Sequence, residues 1–275
     1  MSSPCAEARL TRLLLAIAEL PASGTPDQGA ARGRQQGIGS QQARQGHDNG
    51  RQPRRIQAGI RGEAASHLGR ERLSRLAAGL GFDCPVAGWS PRGAGPPRHP
   101  GLPSPWTACL SHSGSLVVAG LAEVPVGLDI ECPDRRQRQR HRSRLDGLIA
   151  TLPEASVRRA IQRAPDALAA FYRAWTLYEA HYKLGCLEGQ PPDHVLATRI
   201  GSLMAPDLTD MISHSNSHTN SHSNRQQSGD PLYAWQAQDD RLTLSLCARE
   251  LGLSIEMRLG GLEFPDWTGL PQTFD

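Results

Sequence analysis

The sequence predicts an α+β fold, and three observations lead to it. Strand-like and helix-like segments occur in both halves of the chain, and they do not alternate regularly as a doubly wound sheet would require. The common nucleotide cradles are also missing: no Gly-x-Gly-x-x-Gly follows a strand and no Walker A loop occurs. With 275 residues there is room for one large domain or two modest ones, and ample material for a buried core.

In chain order, the first segment is expected to be an amphipathic helix: Ser3 can cap it, Pro4 suits its first turn, and Leu10, Leu13, Leu14 and Ile17 share a face. Arg9 and Arg12 ahead of the apolar residues 13–18 resemble the start of a secretory leader, but Glu19 ends that run too soon. Residues 22–57 are rich in Gly, Gln and Arg with almost no apolar side chains and are expected to be disordered or loop. A helix is expected over residues 61–79, then a Pro/Gly-rich loop over 90–105. Strands follow near 107–110, 116–121 and 126–131, then helices near 144–151, 154–162 and 166–187. Between the last two groups of elements, residues 213–224 read SHSN-SHTN-SHSN, inside a Ser/His/Asn-rich tract spanning 212–230. His214, His218 and His222 could chelate zinc on a helix, but Ser and Asn disfavour helix and no apolar residue anchors one, so a solvated linker is expected. Strand-like stretches at 233–236, 242–248 and 254–258 complete the order.

Composition excludes some classes of function. The net charge of +3 is too small to declare a nucleic-acid binder, and the arginine runs lack interleaved aromatics. No apolar run is long and clean enough to span a membrane. Six cysteines, scattered without a Cys-x-x-Cys pair, read as free thiols of a reducing cytoplasm. Of thirty basic side chains a single one, Lys183, is lysine, which draws attention to chemistry a guanidinium would not do.

Three clusters can carry chemistry. In Val126-Gly127-Leu128-Asp129-Ile130-Glu131, period-two alternation sends the three aliphatic side chains to one face and both carboxylates to the other. Two such carboxylates suit a hard cation, Mg²⁺ rather than zinc, although alone they also read as a solvated strand edge. In the helix over 166–187, Phe171, Trp175, Tyr178 and Tyr182 recur at helical spacing and read as a core stripe. Glu179 and Lys183, four residues apart, lie along the edge of that stripe, either as a surface ion pair or as a carboxylate and a cation for a phosphoryl site. Finally, Leu110-Ser111-His112-Ser113 closes a strand with a histidine between hydroxyls, which could bind phosphate or merely end the strand. No Gly-x-Ser-x-Gly elbow accompanies it.

LSHS, then VGLDIE, then FYRAWTLYEAHYKLG, in that order and spacing, resemble the 4′-phosphopantetheinyl transferase superfamily over residues 111–185, with weaker likeness at 69–80 and 90–100. The chain's length resembles the pseudo-dimeric Sfp-type branch. The resemblance implies two similar α+β halves, 1–125 and 126–275, related by a pseudo-two-fold axis. It implies magnesium-dependent transfer of phosphopantetheine from coenzyme A to a serine of an apo acyl or peptidyl carrier protein, with release of 3′,5′-ADP. Asp129, Glu131 and Glu179 would hold Mg²⁺, Lys183 would contact the phosphate under attack, and Glu179 would take the serine proton. Ser111 and His112 would hold coenzyme A phosphates, with Arg70 and Arg98 as further ligands. A cytoplasmic monomer without nucleic-acid or membrane partners is expected. Two departures stand out: Tyr178 occupies a position where the family usually has a basic residue, and residues 93–100 match the family's Gly-Lys/Arg-Pro element only loosely. They leave as the alternative a homologue that binds coenzyme A or carrier protein without turnover. The arginine-rich run 135–142 could meet an acidic carrier helix, or form a solvated loop.

Overall fold

The computed structural model describes residues 11–21, 52–204, 231–250 and 252–259. It is a mixed α+β structure with two sheets. The first contains β1 (Thr11–Glu19), β2 (Thr107–Ser113), β3 (Leu116–Ala122) and β7 (Leu253–Leu259), in the order β2-β3-β1-β7. β3 is antiparallel to both of its neighbours, and β7 runs parallel to β1. The second contains β4 (Val126–Glu131), β5 (Tyr233–Gln238) and β6 (Thr243–Ala248), antiparallel in the order β4-β6-β5.

β1 corrects the expected amphipathic helix. Leu13, Leu15 and Ile17 enter the core shared by both sheets, while Leu14 and Ala16 face the core under the first long helix. A strand buried on both faces reads as a continuous apolar run, and such a run mimics a buried helix.

α1 (Gln52–Gly79) packs on the first sheet through Leu73, Leu76 and Ala77. Its start corrects the loop expected up to residue 57: Pro53 sits in the first turn, where a missing N–H is harmless. The remainder of the 22–57 tract, and the histidine repeat at 213–224, lie outside the described residues. β2 and β3 form a hairpin closed by Gly114 and Ser115, and the positive φ of Gly114 (62°) explains the glycine.

The arginine-rich run is a helix rather than a loop. α2 (Arg135–Arg142) begins with a capping box: Asp134 Oδ1 accepts from the Gln137 N–H at 2.7 Å, and Gln137 Oε1 accepts from the Asp134 N–H at 2.9 Å. Two short helices, α3 (Leu145–Ala150) and α4 (Ala155–Arg163), lead to α5 (Ala167–Leu187). Asp166 caps α5 by accepting from the N–H groups of Leu168 and Ala169, both at 3.0 Å.

α5 lies directly on β4. A Cβ on Gly127 would fall 1.9 Å from the Ala180 carbonyl oxygen and 2.7 Å from the Leu184 nitrogen, so only glycine permits this approach. Among the described residues no helix is long and apolar enough to cross a membrane.

Candidate functional site

β2 and β4 meet through a ladder of side chains. Ser111 Oγ donates to Asp129 Oδ1 at 2.7 Å, and two residues along each strand Ser113 Oγ donates to Glu131 Oε2 at 2.8 Å. Ser113 Oγ also accepts from the Cys132 N–H at 3.0 Å, which fixes its orientation. The period-two spacing of both strands makes this match possible. α5, pressed on Gly127, then brings in Lys183: its Nζ lies 2.6 Å from Asp129 Oδ1 and 3.0 Å from Ser111 Oγ.

Of these groups Ser111, Asp129, Glu131 and Lys183 border one cavity of ≈ 530 Å³. Ser111 and His112 reach it from β2, Asp129 and Glu131 from β4, Glu179 and Lys183 from α5. Three motifs far apart in sequence are therefore neighbours in space. Arg70 also borders the cavity, but its guanidinium is engaged structurally: Nε and Nη2 donate to the Ser90 carbonyl at 2.9 and 2.6 Å, and Nη1 donates to the Ser66 carbonyl at 2.9 Å and to the Ser66 hydroxyl. Arg98 is exposed and does not line the cavity. Arg92, six residues earlier, does line it.

The electrostatics follow from crowded carboxylates in a partly dry space. Burial raises Glu131 to about 7, with Asp129 and Glu179 pushing further upward and the Ser113 hydrogen bond and Lys183 opposing. Burial, then Asp129, also raises Glu179, against Lys183. Partial desolvation, then Lys183 and Arg92, hold His112 below the usual histidine value, so its ring is neutral near pH 7 and acts as a hydrogen-bonding group. Burial pushes the Cys109 thiol to about 12, which excludes it as a nucleophile at neutral pH.

The aromatic stripe of α5 divides. Phe171 and Tyr178 are buried in the core beneath the second sheet, as the spacing predicts, whereas Trp175 and Tyr182 border the cavity together with Glu179 and Lys183. Trp175 also stacks on Phe171, with ring centroids 6.4 Å apart and planes 18° from parallel. Tyr178 points away from the cavity, donating its hydroxyl to Glu154 Oε1 at 3.0 Å. The same Glu154 carboxylate accepts from the N–H groups of Ile200 at 2.7 Å and Gly201 at 2.9 Å, so Tyr178 helps clamp a loop.

Reading the sequence alone misses Arg92, Trp175 and Tyr182 as cavity residues, and none of the three carries a usable signal in the sequence. Among the described residues, no group of three His, Cys, Asp or Glu side chains is gathered closely enough to hold a metal ion. The donors nonetheless fit magnesium in kind: Asp129, Glu131 and Glu179 are three carboxylates around one cavity, all-oxygen donors of the type a hard cation takes. No protein-family model and no curated protein matches the chain.

Proposed function

We propose that this chain is a magnesium-dependent 4′-phosphopantetheinyl transferase, moving phosphopantetheine from coenzyme A to a serine of an apo acyl or peptidyl carrier protein. The observation that carries this reading is the convergence of the serine–histidine pair of β2, the two carboxylates of β4 and the Glu179/Lys183 pair of α5 on one cavity. The topology supports the pseudo-dimeric branch. β1, α1, β2 and β3 give a helix and strands in the order β2-β3-β1; β4, α5, β5 and β6 give the same arrangement, β5-β6-β4. We therefore read residues 1–125 and 126–275 as similar halves related by a pseudo-two-fold axis, with β7 added to the first sheet.

Transfer between phosphate esters asks a protein for positioning and charge neutralisation more than for covalent chemistry. Asp129, Glu131 and Glu179 would hold Mg²⁺, whose charge, when bound, offsets that of the pyrophosphate. Lys183 adds a compact positive charge at the phosphate under attack. Neutral His112 donates a hydrogen bond to a phosphate oxygen, Ser111 orients Asp129 and Lys183 beside it, and Arg92 is better placed than Arg98 to assist. Glu179, its proton affinity raised, accepts the serine proton as the serine oxygen bonds to phosphorus. The phosphoanhydride bond breaks and 3′,5′-ADP leaves. A cytoplasmic monomer, with coenzyme A and a carrier protein as partners, goes with this activity.

Incubation with apo carrier proteins, coenzyme A and Mg²⁺ tests the reading. Mass spectrometry should find one phosphopantetheine added to the carrier serine, and chelation of Mg²⁺ should abolish the addition. No addition across a panel of fatty-acid, polyketide and peptide carriers refutes it. The second reading, a binder without turnover, is favoured by the burial of Tyr178 and the position of Arg98. It predicts coenzyme A binding by calorimetry with no modified carrier.

A further inference from the structure

We propose that Lys183 and the magnesium ion compete for Asp129, so that the cation binds tightly only alongside a phosphate-bearing ligand that draws the lysine away, an inference that rests on the transferase reading above. Asp129 Oδ1 accepts from Lys183 Nζ at 2.6 Å and from Ser111 Oγ at 2.7 Å, so both lone pairs of that oxygen are in use. Lys183 Nζ also donates to Ser111 Oγ at 3.0 Å, which ties all three groups together. Asp129 is buried and Lys183 partly so, and an ionic hydrogen bond at a cavity wall is stronger than one in open water.

A magnesium ion on Oδ1 must displace the ammonium. On Oδ2 it leaves a divalent and a monovalent cation on one carboxylate, and the two repel. Either way the metal binds against the lysine. The conflict extends beyond Asp129, because Lys183 is the cation that opposes the upward shift of both Glu131 and Glu179. One ammonium therefore already serves as counter-ion to all three carboxylates assigned to the metal.

A phosphate supplies the lysine with another partner. Lys183 and Arg92 each act on His112 more strongly than Asp129 does, so the cavity beside His112 attracts an anion. The four-carbon stem of lysine lets its ammonium turn from Asp129 to such an anion, whereas a guanidinium would grip the carboxylate with two parallel bonds. That difference gives a physical reason for the chain's one lysine among thirty basic side chains to stand here. Metal and phosphate then raise each other's affinity by the same factor, since both act on one swing of Lys183.

Calorimetry with Mg²⁺ alone, in the absence of coenzyme A, compares wild type with K183M, K183Q and K183R. The two neutral variants should bind Mg²⁺ roughly tenfold or more tightly than wild type, and K183R should bind it no more tightly. Labelling with ¹³C-lysine gives the wild type a single lysine side-chain signal, because Lys183 is the only lysine. D129N should move that signal in the absence of ligand, and saturating Mg²⁺ should move the wild-type signal toward the D129N position. Equal Mg²⁺ affinity in wild type and both neutral variants overturns the competition, as does a wild-type signal that stays in place when Mg²⁺ saturates. Failure of all four proteins to bind Mg²⁺ overturns it as well. Should the neutral variants not fold, the wild-type signal decides. These titrations use no carrier protein, so a wild type that modifies no carrier overturns the transferase function and leaves the competition to be judged by Mg²⁺ binding alone.

Discussion

Gly127 and Ala180 meet with no room for a side chain, a Cβ on the former falling 1.9 Å from the carbonyl oxygen of the latter. That contact sets how close α5 comes to β4, and so the distance at which Lys183 meets Asp129. Gly127→Ala must displace backbone against backbone. Stability should fall by about 1–3 kcal/mol in urea denaturation, and carrier modification should be lost even though every polar site residue remains.

The Lys183–Asp129 pair is close, 2.6 Å, with Asp129 nearly buried and the Lys183 side chain 30 % exposed. Lys183→Met should therefore destabilise by about 1–2 kcal/mol, less than the roughly 3–5 kcal/mol of a fully buried pair. Adding Asp129→Asn to Lys183→Met should recover part of that loss, because no unpaired carboxylate then remains. Neither variant should modify a carrier. Denaturation curves for the two single variants and the double variant close the cycle.

Glu131 gives a pH dependence of definite sign. Its folded value of about 7 lies above the 4.5 of a free glutamate, so the folded state binds the proton more tightly than the unfolded chain. Stability should fall as pH rises from about 4.5 to 7 and then level off, by up to about 3 kcal/mol from this group. Glu131→Gln should flatten that slope in metal-free buffer and be more stable than wild type at pH 8. A Tm series from pH 4.5 to 8 with both proteins checks it; a Glu131→Gln Tm below wild type at pH 8 contradicts it.

Tyr178 should be structural. Tyr178→Phe removes the hydroxyl from Glu154 and should cost about 1 kcal/mol, with carrier turnover unchanged. Tyr178→Lys would place an ammonium in a fully buried position facing the Glu154 loop clamp. It should lower Tm and fail to raise turnover. Higher activity in Tyr178→Lys would mean that the side chain reaches the cavity after all.

Sequence pattern reveals an element where one face is buried and one is not. β4 was legible because its aliphatic and polar residues still alternate although both of its faces are covered, and the helix expected over 166–187 begins within one residue of α5. β1 was not legible, because Leu13 to Ala18 are buried on both faces and carry no period. Helical spacing predicted a stripe containing Phe171, Trp175, Tyr178 and Tyr182, but spacing does not say what lies opposite each turn. The bordering of the cavity by Trp175 and Tyr182 is a tertiary fact. Arg92 was hidden by composition: where nearly every cation is arginine, residue type no longer marks the one beside a ligand. The capping box of α2 was present as Asp134-x-x-Gln137, yet the arginines around it read more strongly as solvated loop.

β7 comes from the end of the described chain yet flanks β1, its beginning, in parallel. During synthesis the ribosome must release residue 259 before β1 acquires this neighbour. Until then an apolar strand, Leu13 to Ala18, has at least one open edge, and the nascent chain is exposed to edge-to-edge association. Chains stopped near residue 250 should accordingly collect in the insoluble fraction, while full-length protein escapes it.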